Sequence, residues 1–285
     1  INMSIEKKYY TVTDKETVNL LIQHINESEV IAYDTETDSL NMRKGQIVGF
    51  SVSGDIGIGF YMPTMAWSHE NESLDELTIE GMGCHAIAKK ILSMLIGKKL
   101  VMHNASFDCR FTKNFYGVDL LPSLWVENHL LVHTVQEEGA GMGVFGLKPL
   151  AISIQEHIGL DVEKAANEEQ IELKESIKAN GGSTTRDNFE IYKADMDILS
   201  KYAAADTDLT LRVCTYFLEK LKHENLEKFF FEDEVMPLYK EVTIPMEEMG
   251  VDLDMELLKE THAKITKDLE ENKKIVLDSL IALPE

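Results

Sequence analysis

Three short acidic segments constrain this chain more than any other feature of its sequence. They are YDTETDSL at 33–40, HNASFDCRF at 103–111 and YAAADTDLT at 202–210. Carboxylates that converge from separate segments are the oxygen ligands that hard divalent cations prefer. We therefore expect a fold that brings these three distant segments together.

The first two segments lie at the ends of predicted strands. Asp34 and Glu36 are two residues apart in the extended run VIAYDTE (30–36), so both carboxylates point to one face. Asp108 lies one helical turn beyond KLVMHN (99–104), which places it near the carboxyl end of that strand. These three acids are thus predicted to meet at one edge of a sheet.

The third segment lies within a long predicted helix at 195–221. Tyr202 and Asp206 are four residues apart, so they share one face of that helix, whereas Asp208 points elsewhere. A tyrosine and a carboxylate can therefore face the strand-borne acids together.

The remaining pattern predicts an α/β chain. A helix follows Thr13 or Asp14, and Gly54-Asp55 joins the two strands of a hairpin. Further helices are predicted at 84–95, from Asn104 to about 115, at 122–135 and at 147–159, and nearly all of 226–285 reads as helical apart from a turn at Gly250. Loops or irregular segments are predicted at 64–83, 139–146 and 161–187.

Composition excludes several classes of protein. No apolar run approaches the ~18 residues that a membrane span needs, and Cys84, Cys109 and Cys214 are too scattered for a disulfide framework or a zinc knuckle. A cytoplasmic protein without a membrane partner is expected. The 50 acidic and 28 basic residues give a net charge of −22, which argues against extensive contact with duplex phosphates.

Such a constellation suits hydrolysis of a phosphodiester by two divalent ions. Asp34 is best placed to bridge the ions, with Glu36 and Asp206 completing one and Asp108 holding the second. Tyr202 would hold the attacking water, because a phenol with a pKa near ~10 orients water more readily than it deprotonates it.

The three segments resemble the Exo I, Exo II and Exo III motifs of the DEDD 3′→5′ exonucleases, in the variant whose third motif is YxxxD. They look most like the proofreading domain of family A, DNA polymerase I-like DNA polymerases. GLKPLA at 146–151 and EVMPLYKEVTIPMEEMGVDLD at 234–254 are also similar to that family. The resemblance covers about residues 28–254.

The resemblance implies an RNase H-like fold, a mixed five-stranded sheet flanked by helices with a C-terminal helical extension. It implies two Mg²⁺ or Mn²⁺ ions on the four carboxylates, with Tyr202 beside the attacking water. Leu40 matches a leucine that wedges against the terminal base, and Asn104 matches an asparagine near the 3′-terminal nucleotide, although a buried apolar role and helix capping are the respective alternatives. Thr37 could contact the 3′ end, and Phe189 is a weak candidate for the aromatic residue that stacks on the frayed strand.

The expected activity is removal of 5′-mononucleotides from single-stranded or frayed DNA 3′ ends, a proofreading step in DNA replication. Residues 1–225 would form the exonuclease and 226–285 the start of a polymerase thumb, with the polymerase in the same or a separate chain. An RNase D-like exoribonuclease and an inert structural module are the alternatives. His103 and His129 are expected to be structural.

Several basic residues could still track a nucleic-acid backbone, although each one is better explained as a solvated surface charge. They are Arg43, Lys44, Arg110, Lys113, Lys148 and Arg186.

Overall fold

The computed structural model describes residues 6–136, 145–159, 162–185 and 188–281. The chain forms two compact units, one extending to Ile244 and the second beginning at Pro245. Arg186 and most of the predicted loop at 139–146 lie outside the described residues.

A mixed sheet of six strands forms the centre of the first unit, in the order β1-β4-β3-β2-β9-β10. β3 is antiparallel to β2 and β4, while the pairs β1–β4, β2–β9 and β9–β10 are parallel. The α/β class is confirmed, with six strands in place of the five that were expected. The strands are β1 (Lys8–Thr11), β2 (Val30–Thr37), β3 (Ile47–Ser53), β4 (Ile58–Pro63), β5 (Met65–Ser68), β6 (Ser73–Glu76), β7 (Thr78–Ile79), β8 (Met82–Gly83), β9 (Lys99–Met102) and β10 (Leu124–Glu127).

Helices cover the sheet and continue into the second unit. They are α1 (Lys15–Glu27), α2 (Cys84–Met94), α3 (Ala105–Tyr116), α4 (Asn128–Val135), α5 (Leu147–Ser153), α6 (Gln155–Ile158), α7 (Val162–Ala179), α8 (Met196–His223), α9 (Val235–Leu238), α10 (Ile244–Met249) and α11 (Met255–Ile281). Two π-helical stretches, Phe229–Asp233 and Tyr239–Thr243, flank α9. None of the described helices is both long enough and apolar enough to span a bilayer.

Three local predictions were wrong, each because tertiary pairing decided the outcome. Residues 64–83 form two small hairpins, β5–β6 and β7–β8, in place of a loop. The predicted helix at 122–135 begins only at Asn128, because Leu124–Glu127 pairs with β9. Residues 162–179 form helix α7, whose Leu173 and Ile177 pack beside α8 in a small second core.

Helix α8 lies across the sheet and brings Tyr202 and Asp206 to β2. Its approach to β4 is close, since a Cβ at Gly59 would lie 2.5 Å from the carbonyl oxygen of Ala204. Only glycine leaves room for this contact. The position of α8, and with it the third acidic segment, therefore depends on Gly59.

A buried ion pair fixes the middle of α8. Arg212 donates to both carboxylate oxygens of Asp208, at 3.0 and 2.9 Å. The same carboxylate accepts from the Tyr9 hydroxyl at 2.8 Å and from the Gly57 backbone N–H at 2.7 Å. Asp208 thus faces away from Asp206, as predicted, and ties α8 to β1 and to the turn before β4.

Residues 226–244 belong to the first unit, in which Phe230, Met236 and Ile244 are buried. In the second unit, α11 exposes both its charged and its apolar side chains. The functional division at residue 225 stays a prediction.

Candidate active site

Asp108 is held where the pairing of β2 with β9 ends. β2 pairs with β9 only through Val30, Ile31 and Ala32. Beyond that point the backbone N–H of Thr35 donates to Asp108 Oδ1 at 3.0 Å, and the Thr35 hydroxyl donates to the same atom at 2.6 Å. Asp108 is 2% exposed, so its direction is set by Thr35.

Glu127, at the end of β10, anchors the start of α3. Its buried carboxylate accepts the backbone N–H groups of Asn104 at 3.0 Å and of His129 at 2.9 Å, and also that of Ala105. These bonds satisfy donors that the first turn of a helix leaves without intrahelical partners. Glu127 therefore fixes the helix that carries Asp108.

Asn104 occupies the N-cap position of α3, but its side chain makes no capping hydrogen bond. Its backbone is in the left-handed region (φ 77°, ψ 49°), which asparagine tolerates better than most residues. The side chain is exposed. Helix capping by the Asn104 side chain does not account for this residue, which leaves it free to face a ligand.

Asp34 and Glu36 project from the same face of β2 toward Asp108 and Asp206. Burial, followed by the charge of Asp108, raises the pKa of Asp34 well above its usual range. Glu36 and Asp206 add to this rise, whereas Lys148 opposes it. Burial, and then the charge of Asp206, raises the pKa of Glu36 to about 8, again against the effect of Lys148. The four carboxylates are thus close enough to repel one another.

Tyr202 lies on α8 beside these acids. Burial, and then the charge of Asp206, raises the pKa of its hydroxyl well above 10. Glu36 and Asp34 contribute in the same direction. The phenol therefore stays protonated across the physiological range and can only donate or accept a hydrogen bond.

The donor set fits hard divalent cations, because it consists of carboxylate oxygens whose mutual repulsion a cation would relieve. In the described ranges, however, no three acidic, histidine or cysteine side chains are already arranged to hold an ion. Lys148 Nζ lies 2.9 Å from Asp206 Oδ1. An ammonium group therefore neutralises part of the cluster.

A pocket of about 510 Å³ opens beside Glu36. Thr37 and Leu40 line it together with two aromatic residues, Phe107 and Phe189. Leu40 is 75% exposed, so the alternative of a buried apolar role for this residue is wrong. The pocket offers apolar faces for a base within reach of the acidic cluster.

Sequence reasoning missed several of these residues. Thr35 and Glu127 act through hydrogen bonds that sequence spacing does not predict. Phe107 lies on α3, next to Asp108 in the sequence. Lys148 was expected on the surface, yet it is only 7% exposed. The one available signal was its place in the GLKPLA segment. His103 and His129 pack edge to face, with ring centres 4.1 Å apart.

Comparison with known proteins places the chain among nucleases. The sequence profile of a family described as 3′-5′ exonuclease matches residues 9–222. The DNA polymerase I of Borreliella burgdorferi is 27% identical over 255 residues, which are 88% of this chain and 24% of that protein. The DNA polymerase of Escherichia phage T5 is 25% identical over 273 residues, 92% of this chain and 28% of that protein. The chain thus spans about a quarter of the length of these relatives.

Solved structures share the fold. Brucella melitensis NrnC with bound Mg²⁺ matches with a TM-score of 0.53 at 13% identity, covering 87% of this chain and 98% of that one. Escherichia coli RNase D, an exoribonuclease involved in structured RNA processing, gives 0.51 at 14% identity, covering 86% and 52%. The POL domain of Pol1 from M. smegmatis, in complex with primer-template DNA and dNTP, gives 0.55 at 12% identity, covering 92% and 36%.

Proposed function

The chain belongs to the 3′-5′ exonuclease family, and from this premise we propose that it removes 5′-mononucleotides from single-stranded or frayed DNA 3′ ends. The observation that carries the proposal is the meeting of four carboxylates, from β2, α3 and α8, beside a pocket large enough for a nucleotide. Phosphodiester hydrolysis by two divalent ions uses carboxylates that hold the ions and an adjacent place for the end that is cut.

The carboxylates of Asp34, Glu36, Asp108 and Asp206 would hold two Mg²⁺ or Mn²⁺ ions. Asp206 and Glu36 would complete one ion's shell and Asp108 the other's. Such ions lower the pKa of a water and stabilise the charge that develops on the leaving oxygen. Thr35 keeps Asp108 pointing at the cluster, because both of its donors converge on one oxygen.

Tyr202 would orient the attacking water. Its hydroxyl stays protonated beside the carboxylates, so it acts as a hydrogen-bonding group and not as a base. The proton of the water therefore has to leave by another route.

The pocket would hold the terminal nucleotide. Leu40 would wedge against the terminal base, and Thr37 and Asn104 would contact the 3′ end. Phe189, which lines the same pocket and is 37% exposed, would stack on the strand. Stacking of this kind tolerates any base sequence, because every base has a π-face.

We further propose that the chain edits the products of a polymerase part, in the same or a separate chain. Its relatives are named DNA polymerases, and the aligned region covers only about a quarter of each of them. With a net charge of −22, the chain alone should bind duplex DNA weakly, and tight, strongly salt-dependent binding would contradict this account. A cytoplasmic location follows from the same proposal.

An exoribonuclease activity is the second candidate, since RNase D, which is described as an exoribonuclease, shares the fold. An inert module that only supports a polymerase is the third. Matched DNA and RNA oligonucleotides of one sequence, labelled at the 5′ end, separate the first two by rate. They also show direction, because 3′→5′ removal leaves a ladder of shortened labelled products.

The decisive variants are Asp34→Ala and Asp206→Ala, compared with Asp55→Ala on the exposed β3–β4 turn. The first two should abolish degradation while circular dichroism stays unchanged, and the third should leave the rate intact. Wild-type rates in either site variant would refute the proposed function. A wild-type chain that binds neither Mn²⁺ nor Mg²⁺ would favour the inert module.

A further inference from the structure

Lys148, near the start of α5, is buried within the acidic cluster. Its Nζ lies 2.9 Å from Oδ1 and 3.2 Å from Oδ2 of Asp206. The same atom lies 3.4 Å from the centre of the Tyr202 ring, a cation–π contact. The ammonium thus contacts both carboxylate oxygens of Asp206 and the ring of Tyr202.

A second anion is available to this lysine. Glu169 on α7 is 9% exposed, and burial raises its pKa to about 7. The charge of Lys148 is the largest influence that opposes this rise. Helix α5, which carries Lys148, packs against α7, which carries Glu169, and both side chains are buried.

A divalent ion on Asp206 would lie close to the Lys148 ammonium, which repels it and already uses lone pairs of the same two oxygens. Leaving Lys148 buried without an anion would be costly.

We propose that Lys148 is a positioning residue that changes partners, bonding Asp206 in the ion-free protein and Glu169 once a divalent ion occupies Asp206. It would hold Asp206 and Tyr202 in place before an ion binds, and it would set the ion concentration at which the site fills. The inference rests on the function proposed above, in which Asp206 is an ion ligand.

The first test is direct Mn²⁺ binding by calorimetry on the whole chain, without nucleic acid. Lys148→Met removes the competitor and should tighten Mn²⁺ binding by at least about fivefold, the lower end of ordinary coupling between sites. Lys148→Arg keeps the charge and should not tighten it. Lys201→Met is the matched control, because Lys201 is exposed and also lies near Glu169; it should leave the affinity unchanged.

The second test asks whether Glu169 acts through Lys148. Glu169→Gln should weaken Mn²⁺ binding in the wild-type background and have no effect in the Lys148→Met background, a double-mutant cycle. Equal weakening in both backgrounds would show a simple charge effect and overturn the exchange.

Equal or weaker binding by a folded Lys148→Met variant would also overturn it. If that variant does not fold, Glu169→Gln alone decides, since unchanged affinity contradicts the proposal. A wild-type chain that binds no Mn²⁺ would overturn the proposed function as well, whereas binding that is insensitive to Lys148 overturns only this inference.

Discussion

Replacing Asp108 by asparagine should stabilise the ion-free protein at alkaline pH. Burial, opposed by the Thr35 hydrogen bonds and assisted by the charge of Glu127, raises the pKa of Asp108 to about 7. In the unfolded chain the same group has a pKa of about 3.9. Between these values the unfolded state releases the proton that the folded state keeps, so the free energy of unfolding falls as pH rises from about 4 to about 7.

A difference of about three pKa units corresponds to about 4 kcal/mol at 1.36 kcal/mol per unit. The neighbouring acids share part of this cost, so we expect Asp108→Asn to be about 2–4 kcal/mol more stable than wild type at pH 8. At pH 4.5 the two proteins should differ little. Asparagine can still accept both Thr35 bonds through its side-chain oxygen, which keeps the local geometry.

Urea unfolding in the presence of a chelator measures this difference. Both tryptophans, Trp67 and Trp125, lie in the first compact unit, so their fluorescence reports on that unit. Asp119→Asn, an exposed acid after α3, serves as the control and should follow wild type at every pH. Added Mn²⁺ at pH 8 should raise the stability of wild type more than that of Asp108→Asn. An Asp108→Asn variant that is less stable than wild type by the same margin at both pH values would refute the reasoning.

Four further variants test the packing that positions the site. Tyr61→Phe removes a buried hydroxyl without a hydrogen-bond partner and should be neutral or stabilising, whereas Tyr33→Phe removes a 2.7 Å bond and should cost about 1 kcal/mol in urea unfolding. Arg212→Met leaves the buried Asp208 charge unpaired and should cost about 3–5 kcal/mol, and an unchanged unfolding midpoint would contradict the burial of this pair. Gly59→Ala should displace α8 and lower the nuclease rate with a loss of stability, while a wild-type rate would show that α8 can shift without consequence.

Periodicity and local chemistry were enough to predict much of the architecture. The spacing of Asp34 and Glu36 in an extended run, and of Tyr202 and Asp206 in a helix, depends only on backbone geometry, and the structure has both arrangements. The Asp14 cap of α1 is also local, since its side chain accepts from the N–H of Thr17. Features of this kind are encoded within a few residues.

The rest depends on contacts between distant residues. Leu124–Glu127 lies in a stretch whose sequence pattern predicts a helix, but its pairing with β9 decides its conformation. Lys148 looks like a surface lysine until α5 is packed against α8. Thr35 gains its role only because β9 ends where α3 begins. Sequence spacing does not predict these contacts.

The pairing between β2 and β9 is short, and lengthening it would change stability and activity in opposite directions. A longer β9 would add ladder hydrogen bonds along the free edge of β2 and would strengthen the sheet. The added pairing would use the backbone N–H of Thr35, which now donates to Asp108. The length of β9 is therefore limited by the need to position Asp108 and not by folding. Designs that extend β9 should produce a more stable but inactive protein.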